Sequence, residues 1–359
     1  MIAATLPTRT DGVAVLPAPW RITFDTNPDD CNLSCVMCEE HSDFSQKKQL
    51  RMADHRPHRR MDVSVIRRVV SEMAPRGLRE IIPSTMGEPL LCREFDEIVA
   101  ICREYGVSLN LTTNGTWPHR GPTGWAKLVC PVTSDVKVSW NGVSAQTQES
   151  IMRGSPLGDR IADVRAFLKV RDEIALAGGN RCRVTLQCTF MESNLGELPA
   201  LVHLAAELGV DRVKGHQLWV HFAQLAGQDL RRNSESRLRW NRTVQDCNRV
   251  SDEHRRPDGS QVELENFLPL PEDGIADILP DWVCPFIGRE AWVNHAGRFD
   301  PCCAPDSERR ALGDYGNAAT PRGLLEIWEG SLYRSLLGGY QNQSVCRKCT
   351  LRRPREQVR

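Results

Sequence analysis

The residues best equipped for chemistry are three thiols close together, in Cys31-Asn32-Leu33-Ser34-Cys35-Val36-Met37-Cys38. Thiolates are soft ligands that suit an iron–sulfur cluster or a zinc ion. A [4Fe-4S] cubane held by only three cysteines keeps one iron open, and an open iron can bind a substrate. A second thiol set lies toward the carboxyl end at Cys284, Cys302, Cys346 and Cys349, the last two as a C-x2-C pair. Four thiolates saturate a cubane, and a closed cluster moves electrons rather than binding substrate. Four cysteines also make a structural zinc ribbon, so ligand count alone leaves both readings open. Cys303, Cys92, Cys102, Cys130, Cys182, Cys188 and Cys247 remain over. They read as packing residues, though Cys188 could face a cavity and donate a hydrogen atom.

The elements that must position these thiols read as a repeat of strand, loop and amphipathic helix. Short apolar runs at 20–25, 80–83, 107–112, 135–140, 183–190 and 212–216 predict six strands. Helical periodicity covers 61–73, with Asp62 as its N-cap, then 94–105, a long region within 144–177, and 198–208. Such alternation predicts an α/β fold with parallel, right-handed βα units, whose site lies at the carboxyl ends of the strands. The first thiols follow the first strand and so fall at that end. The histidine-bearing stretch 39–60 reads as surface. Residues 223–281 read as a connecting region with one polar helix and an extended piece near 262–268, and 324–336 as helical.

Composition narrows the classes. The 359 residues carry 46 Lys plus Arg and 46 Asp plus Glu, so no global field draws the chain to nucleic acid or an anionic membrane. Basic residues in 223–281 alternate with acids and lack aromatic company, which argues further against nucleic acid. Residues 1–19 show no signal-peptide pattern, and no apolar run approaches the ~20 residues of a membrane span. Fourteen cysteines without an export signal fit metal ligation in a reducing, cytoplasmic compartment.

The C-x3-C-x2-C spacing resembles the signature of the radical S-adenosylmethionine (SAM) superfamily, and other loops carry the resemblance further. Met86-Gly87-Glu88-Pro89 after the second strand is similar to that family's Gly-Gly-Glu-Pro motif. Asn114, in Thr112-Thr113-Asn114-Gly115, matches its T-N-G loop, and Ser139-Trp140-Asn141-Gly142 its Ser-x-Asp-Gly, with Asn141 in place of the acid. The resemblance implies an open (β/α)6 TIM-like partial barrel over 20–222. It implies a SAM-chelating cluster on Cys31, Cys35 and Cys38, and SAM contacts from Gly87, Glu88, Asn114, Ser139 and Asn141. Arg153 would meet the SAM carboxylate, and Met37 would pack beside the adenine. The C-terminal thiols resemble the SPASM auxiliary-cluster module in its shortened "twitch" form, over 282–353 with a tail at 354–359. Cys284, Cys302, Cys346 and Cys349 would hold one closed [4Fe-4S] cluster.

One SAM-binding cluster plus one closed cluster resembles the layout of the twitch dehydrogenases of aminocyclitol antibiotic pathways. The resemblance implies oxidation of a secondary alcohol of an aminocyclitol or sugar-like molecule to a ketone. A 5′-deoxyadenosyl radical takes the hydrogen, the auxiliary cluster takes an electron, and a flavodoxin- or ferredoxin-type protein supplies reducing electrons. Lys214, His216 and His221, near the sixth strand end, are candidates for the proton acceptor. Two related chemistries compete: maturation of a ribosomal peptide by cross-linking or epimerisation, and epimerisation of a small antibiotic. Peptide maturases of this kind carry a peptide-binding winged helix ahead of the first cysteine, where this sequence has 30 residues. That favours a small substrate. A zinc scaffold without catalysis is the reading from a different class.

Overall fold

Alternation of polar and apolar residues builds each strand, and the two faces go to different uses. In β1 (Arg21–Phe24), Ile22 and Phe24 enter the apolar core while Arg21 and Thr23 point to the opposite face. The same division recurs in β2 (Glu80–Ile82), β3 (Ser108–Thr113), β4 (Thr133–Ser139), β5 (Arg183–Phe190) and β6 (Arg212–Gln217). All six pair in parallel, in sequence order. Helices Val63–Met73, Phe95–Tyr105, Gly121–Val129, Leu157–Leu176 and Leu198–Leu208 return the chain between strands. Their apolar residues share one core with Leu109, Leu111, Val136, Val138, Val184 and Leu186. This is the expected α/β partial barrel. The structure, a computed structural model, describes residues 17–84, 86–272, 281–349 and 351–358.

Three further strands lengthen the sheet beyond the predicted six. β7 (Glu263–Glu265) lies parallel to β6, β8 (Glu290–Val293) lies parallel to β1, and β9 (Phe299–Asp300) runs antiparallel to β8. The order is therefore β7-β6-β5-β4-β3-β2-β1-β8-β9. The extended piece foreseen near 262–268 is β7, and the polar helix before it is Ser234–Glu253. Part of that connecting region, and the N-terminal extension apart from its last three residues, lie outside the described residues.

Other expectations need correcting. The helical region within 144–177 is two helices, Ala145–Ile151 and Leu157–Leu176, broken around Gly154 with φ 92° and by Pro156. The helical stretch 324–336 likewise divides into Gly323–Glu329 and Ser331–Gly339. The stretch 39–60 is not simply surface. Glu40, His41, Ser42 and Ser45 are buried, and Glu40 is ion-paired with Lys47, Arg51 and Arg59. Asp62 does cap its helix, accepting from the Ser64 amide at 2.8 Å.

The barrel's inner face is charged at its base. Arg21 bridges Glu80 and Glu290, and Arg212 bridges Asp135 and Glu265. Lys214 meets Glu265 at 2.6 Å, while Glu80 also accepts from Asn110 and Ser134. On the outer side, Gly215 leaves room for the Phe190 ring, which packs on Trp240 and Phe267 with centroids 4.5 and 4.9 Å away. A Cβ at Gly215 would lie 1.9 Å from that ring. Gly215→Ala is therefore expected to destabilise the fold by about 1–3 kcal/mol, read as a lower urea midpoint.

Candidate functional site

The loop after β1 holds Cys31, Cys35 and Cys38, and the helix end at 151–153 clamps it. Ser34 N–H donates to the Arg153 carbonyl at 3.1 Å and Val36 N–H to the Ile151 carbonyl at 2.9 Å. Leu33 and Val36 bury themselves against Ile151, Met152, Met191 and Leu218, and Met37 borders this patch. The Cys38 sulfur accepts from the His41 amide at 3.4 Å, and His41 is anchored to the Pro28 carbonyl at 2.8 Å. Burial pushes the Cys31 thiol up to about 11 and raises Cys35 and Cys38 as well. Loading a metal here must therefore release protons.

Two loops at neighbouring strand ends brace the cysteines. Gly87 packs directly on the segment before Cys31, since a Cβ there would come 2.0 Å from the Asn27 carbonyl oxygen. Glu88 is fully buried, and its carboxylate accepts from Leu90 N–H at 3.2 Å, Thr113 Oγ1 at 2.7 Å and Asn114 N–H at 2.6 Å. These bonds tie the loop after β2 to the loop after β3. Burial pushes Glu88 up to about 7 against those three hydrogen bonds. Asn114 carries the connection onward, donating to Asn32 Oδ1 at 2.9 Å and toward Cys31 Sγ at 3.8 Å.

The remaining SAM-contact candidates divide. Ser139 sits half-buried at the end of β4 with its side chain on the inner face. Asn141 is buried and accepts from Thr189 N–H at 2.9 Å and from the Cys188 thiol, which links the ends of β4 and β5. Cys188 is completely buried in the core, so it does not face the cavity as a hydrogen-atom donor. The Arg153 guanidinium is exposed and meets Asp43 at 2.7 Å.

The three proton-acceptor candidates do not converge. Lys214 is held by Glu265, and His221 lies past the strand, 4.0 Å from Glu39. His216 alone stands at the inner strand end, 3.3 Å from Thr189 Oγ1. Its side chain is exposed, on the inner face of the barrel. Burial, helped by the Lys214 charge, pushes its imidazole down to about 4, so it is neutral near pH 7.

The C-terminal thiols do share one space. A cavity of about 550 Å³ is lined by Cys284, Cys302, Cys346 and Cys349, with Trp219 and Val220 from the loop after β6. Cys303, set aside as a packing residue in the sequence, lines it too. Its vicinal position beside Cys302 was the signal available. The Cys302 thiol is pushed down to about 7 by a hydrogen bond from Cys303, whereas burial pushes Cys284 to about 11 and Cys346 to about 12. Amides point at two of the sulfurs, from Ile287 to Cys284 and from Ala304 to Cys302, each at 3.4 Å. Among the described residues no three Cys, His, Asp or Glu are grouped so as to hold a single metal ion.

Comparison with known proteins fits this arrangement. The model of the radical SAM superfamily matches residues 28–171, and that of SPASM, an iron–sulfur cluster-binding domain, matches residues 284–350. PqqA peptide cyclase of Methylobacterium sp. (strain 4-46) is 25% identical over 199 residues, covering 55% of this chain and 46% of that protein. A probable GTP 3′,8-cyclase of Aeropyrum pernix is 28% identical over 182 residues, covering 51% and 46%. The chain thus spans about half the length of these curated relatives. Streptococcus suis SuiB bound to S-adenosylmethionine shares the fold, with a TM-score of 0.64 at 15% identity over 93% of this chain and 73% of that one. Its complex with the precursor peptide SuiA gives 0.62 at 14% identity over 93% and 72%.

SAM and [4Fe-4S] clusters are accordingly the cofactors, with auxiliary cluster binding in the SPASM domain. The donors present suit them, being soft thiols gathered at strand ends beside amides aimed at sulfur. No helix among the described residues is long and apolar enough to cross a membrane. Two outcomes follow. Anaerobically reconstituted protein should hold about eight irons, falling to about four when Cys346 and Cys349 are replaced by alanine, as read by iron analysis. Glu88 has a folded pKa raised above its unfolded value, so its stabilising contribution is present below about pH 4.5 and lost as pH rises through about 7. The urea midpoint of the wild type should therefore fall relative to Glu88→Gln across that window.

Proposed function

We propose that this chain, which carries a radical SAM domain and an SPASM domain, oxidises a secondary alcohol of a small polyhydroxylated substrate to a ketone. The supporting observation is the cavity that puts Cys284, Cys302, Cys346 and Cys349 against Trp219 and Val220, just beyond the end of β6. Bound SAM and clusters supply a 5′-deoxyadenosyl radical to take hydrogen from carbon and a closed cluster to accept an electron. The chain's own part is to position and to move a proton. Cys31, Cys35 and Cys38 would hold the SAM-binding cluster, and the Glu88–Asn114–Asn32 brace would fix the loop that carries them. Ser139 and the backbone beside Gly87 would meet SAM. His216, neutral and inward-facing, would accept the hydroxyl proton. A flavodoxin- or ferredoxin-type protein would reduce the first cluster.

A peptide substrate is the second reading, and a specific feature favours it. Phe286, Tyr340 and Val345 join Trp219 in the cavity wall, an apolar surface suited to a peptide side chain. A peptide cyclase and a precursor-peptide complex among the proteins similar to this chain point the same way.

Reduced protein incubated with SAM and candidate polyols should release 5′-deoxyadenosine and ketone in equal amounts, measured by mass spectrometry. Deoxyadenosine accompanied by an epimer or a cross-linked peptide would reject the dehydrogenase reading. Alanine at both Cys346 and Cys349 should stop ketone formation while leaving SAM binding largely intact. His216→Gln should lower kcat about 10²-fold or more with little change in SAM affinity.

A further inference from the structure

A closed cubane takes four thiolates, yet five thiols line the auxiliary cavity. Cys303 joins Cys284, Cys302, Cys346 and Cys349 there. Neighbours on an extended chain point to opposite sides. Here the chain bends at Pro301 and again at Ala304, and Cys302 and Cys303 both line the same space. Cys303 is also the exposed one of the five, whereas Cys102, Cys130, Cys182, Cys188 and Cys247 are buried in the core. It is not packing material.

Two adjacent sulfurs therefore compete for one corner, and the hydrogen bonds tell them apart. Cys302 Sγ accepts from the Ala304 amide at 3.4 Å. Cys284 Sγ accepts likewise from Ile287, and Cys38 Sγ from His41, each at 3.4 Å. An amide two or three residues ahead thus supports a sulfur in both thiol sets. Cys303 is engaged differently, because its thiol donates to the Cys302 sulfur. Iron displaces the proton of every thiol that it binds, so a fifth thiol beside four ligands keeps its own. No second cysteine adjoins Cys31, Cys35 or Cys38, so the arrangement belongs to the auxiliary site.

We propose that Cys303 is not a ligand but a positioning residue, whose S–H donates to the Cys302 sulfur and raises the potential at which the auxiliary cluster takes up an electron. Hydrogen bonds to cluster sulfurs favour the reduced state, which carries the greater negative charge. The proposal rests on the four-thiol assignment of that cluster and not on the identity of the substrate. A thiol is a weak donor, so it adjusts the potential without competing for iron. A serine hydroxyl at the same position keeps a donor, and an alanine methyl removes it.

Iron analysis of the anaerobically reconstituted full chain separates ligand from donor. Cys302→Ala should lose auxiliary iron, whereas Cys303→Ala should keep about eight irons. The potential is read by an EPR-monitored titration of the full chain with Cys31, Cys35 and Cys38 replaced by alanine, which leaves the auxiliary cluster alone. In that background Cys303→Ala should lower the midpoint potential, and Cys303→Ser should stay close to the starting value. Iron lost from Cys303→Ala overturns the proposal by making Cys303 a ligand. Full iron in Cys302→Ala overturns it by handing the corner to Cys303. A potential unchanged in Cys303→Ala, or lowered equally in Cys303→Ser, overturns it as well. Should alanine at Cys346 and Cys349 leave about eight irons in place, the cluster assignment fails and the proposal with it. None of these readings requires turnover, so they fail or succeed separately from the ketone assay.

Discussion

The structure depends on a belt of buried ion pairs across the barrel's inner face. Burying one charge alone is expensive, and a buried pair is tolerated only when each partner is met with good geometry. Here Arg21 joins β1 to β2 and β8 through Glu80 and Glu290, and Arg212 joins β6 to β4 and β7 through Asp135 and Glu265. Slipping any of these strands by one residue would turn a charge into the apolar layer under the helices. The belt therefore fixes register in the sheet, and register decides which residues emerge at the strand ends. Ser139, Gln187 and His216 reach the chamber because Asp135 and Arg212 are held two layers below.

Above the belt, fine positioning passes to a short chain of hydrogen bonds. Glu88 uses its whole carboxylate on backbone and side-chain donors from two loops, and Asn114 extends the chain to Asn32 and Cys31. The cysteine loop thus takes its shape from the ends of three adjacent strands and from the carbonyls at 151–153. Charged and amide groups in this region act on the site mostly through other residues. The groups left to meet a ligand directly are those that no protein partner engages.

Much of this was legible in the sequence where the determinants are local. The strand at 183–190 and the helix at 198–208 show clear periodicity, and Asp62 announces its helix through a cap that reaches only two residues ahead. The cysteine spacing pointed to the cofactor for the same reason. What stayed hidden depends on distant partners. The hydrogen bonds of Glu88 were not legible, because its partners Thr113 and Asn114 lie some 25 residues on and meet it only after β2 and β3 pair. β7 has one apolar residue, Leu264, between two glutamates, and those acids are explained only by distant partners, Lys214 and Arg212 for Glu265 and Arg183 for Glu263. The helix at 121–129 opens with Gly121-Pro122, which reads as a loop.

One feature of the sheet bears on how the molecule is made. Among the described strands β1 is made first, and its neighbour β8 follows some 270 residues later. Until then Arg21 lacks Glu290, and one edge of β1 has no strand to bond. Long-range parallel pairing is slow because a large loop must close before the contacts form. The nascent barrel therefore waits, half-finished, with its first three thiols already synthesised, for the segment bearing the other set. The edge of β1 that β8 covers is thus the last of its two to be paired, and it is guarded meanwhile only by the charge of Arg21.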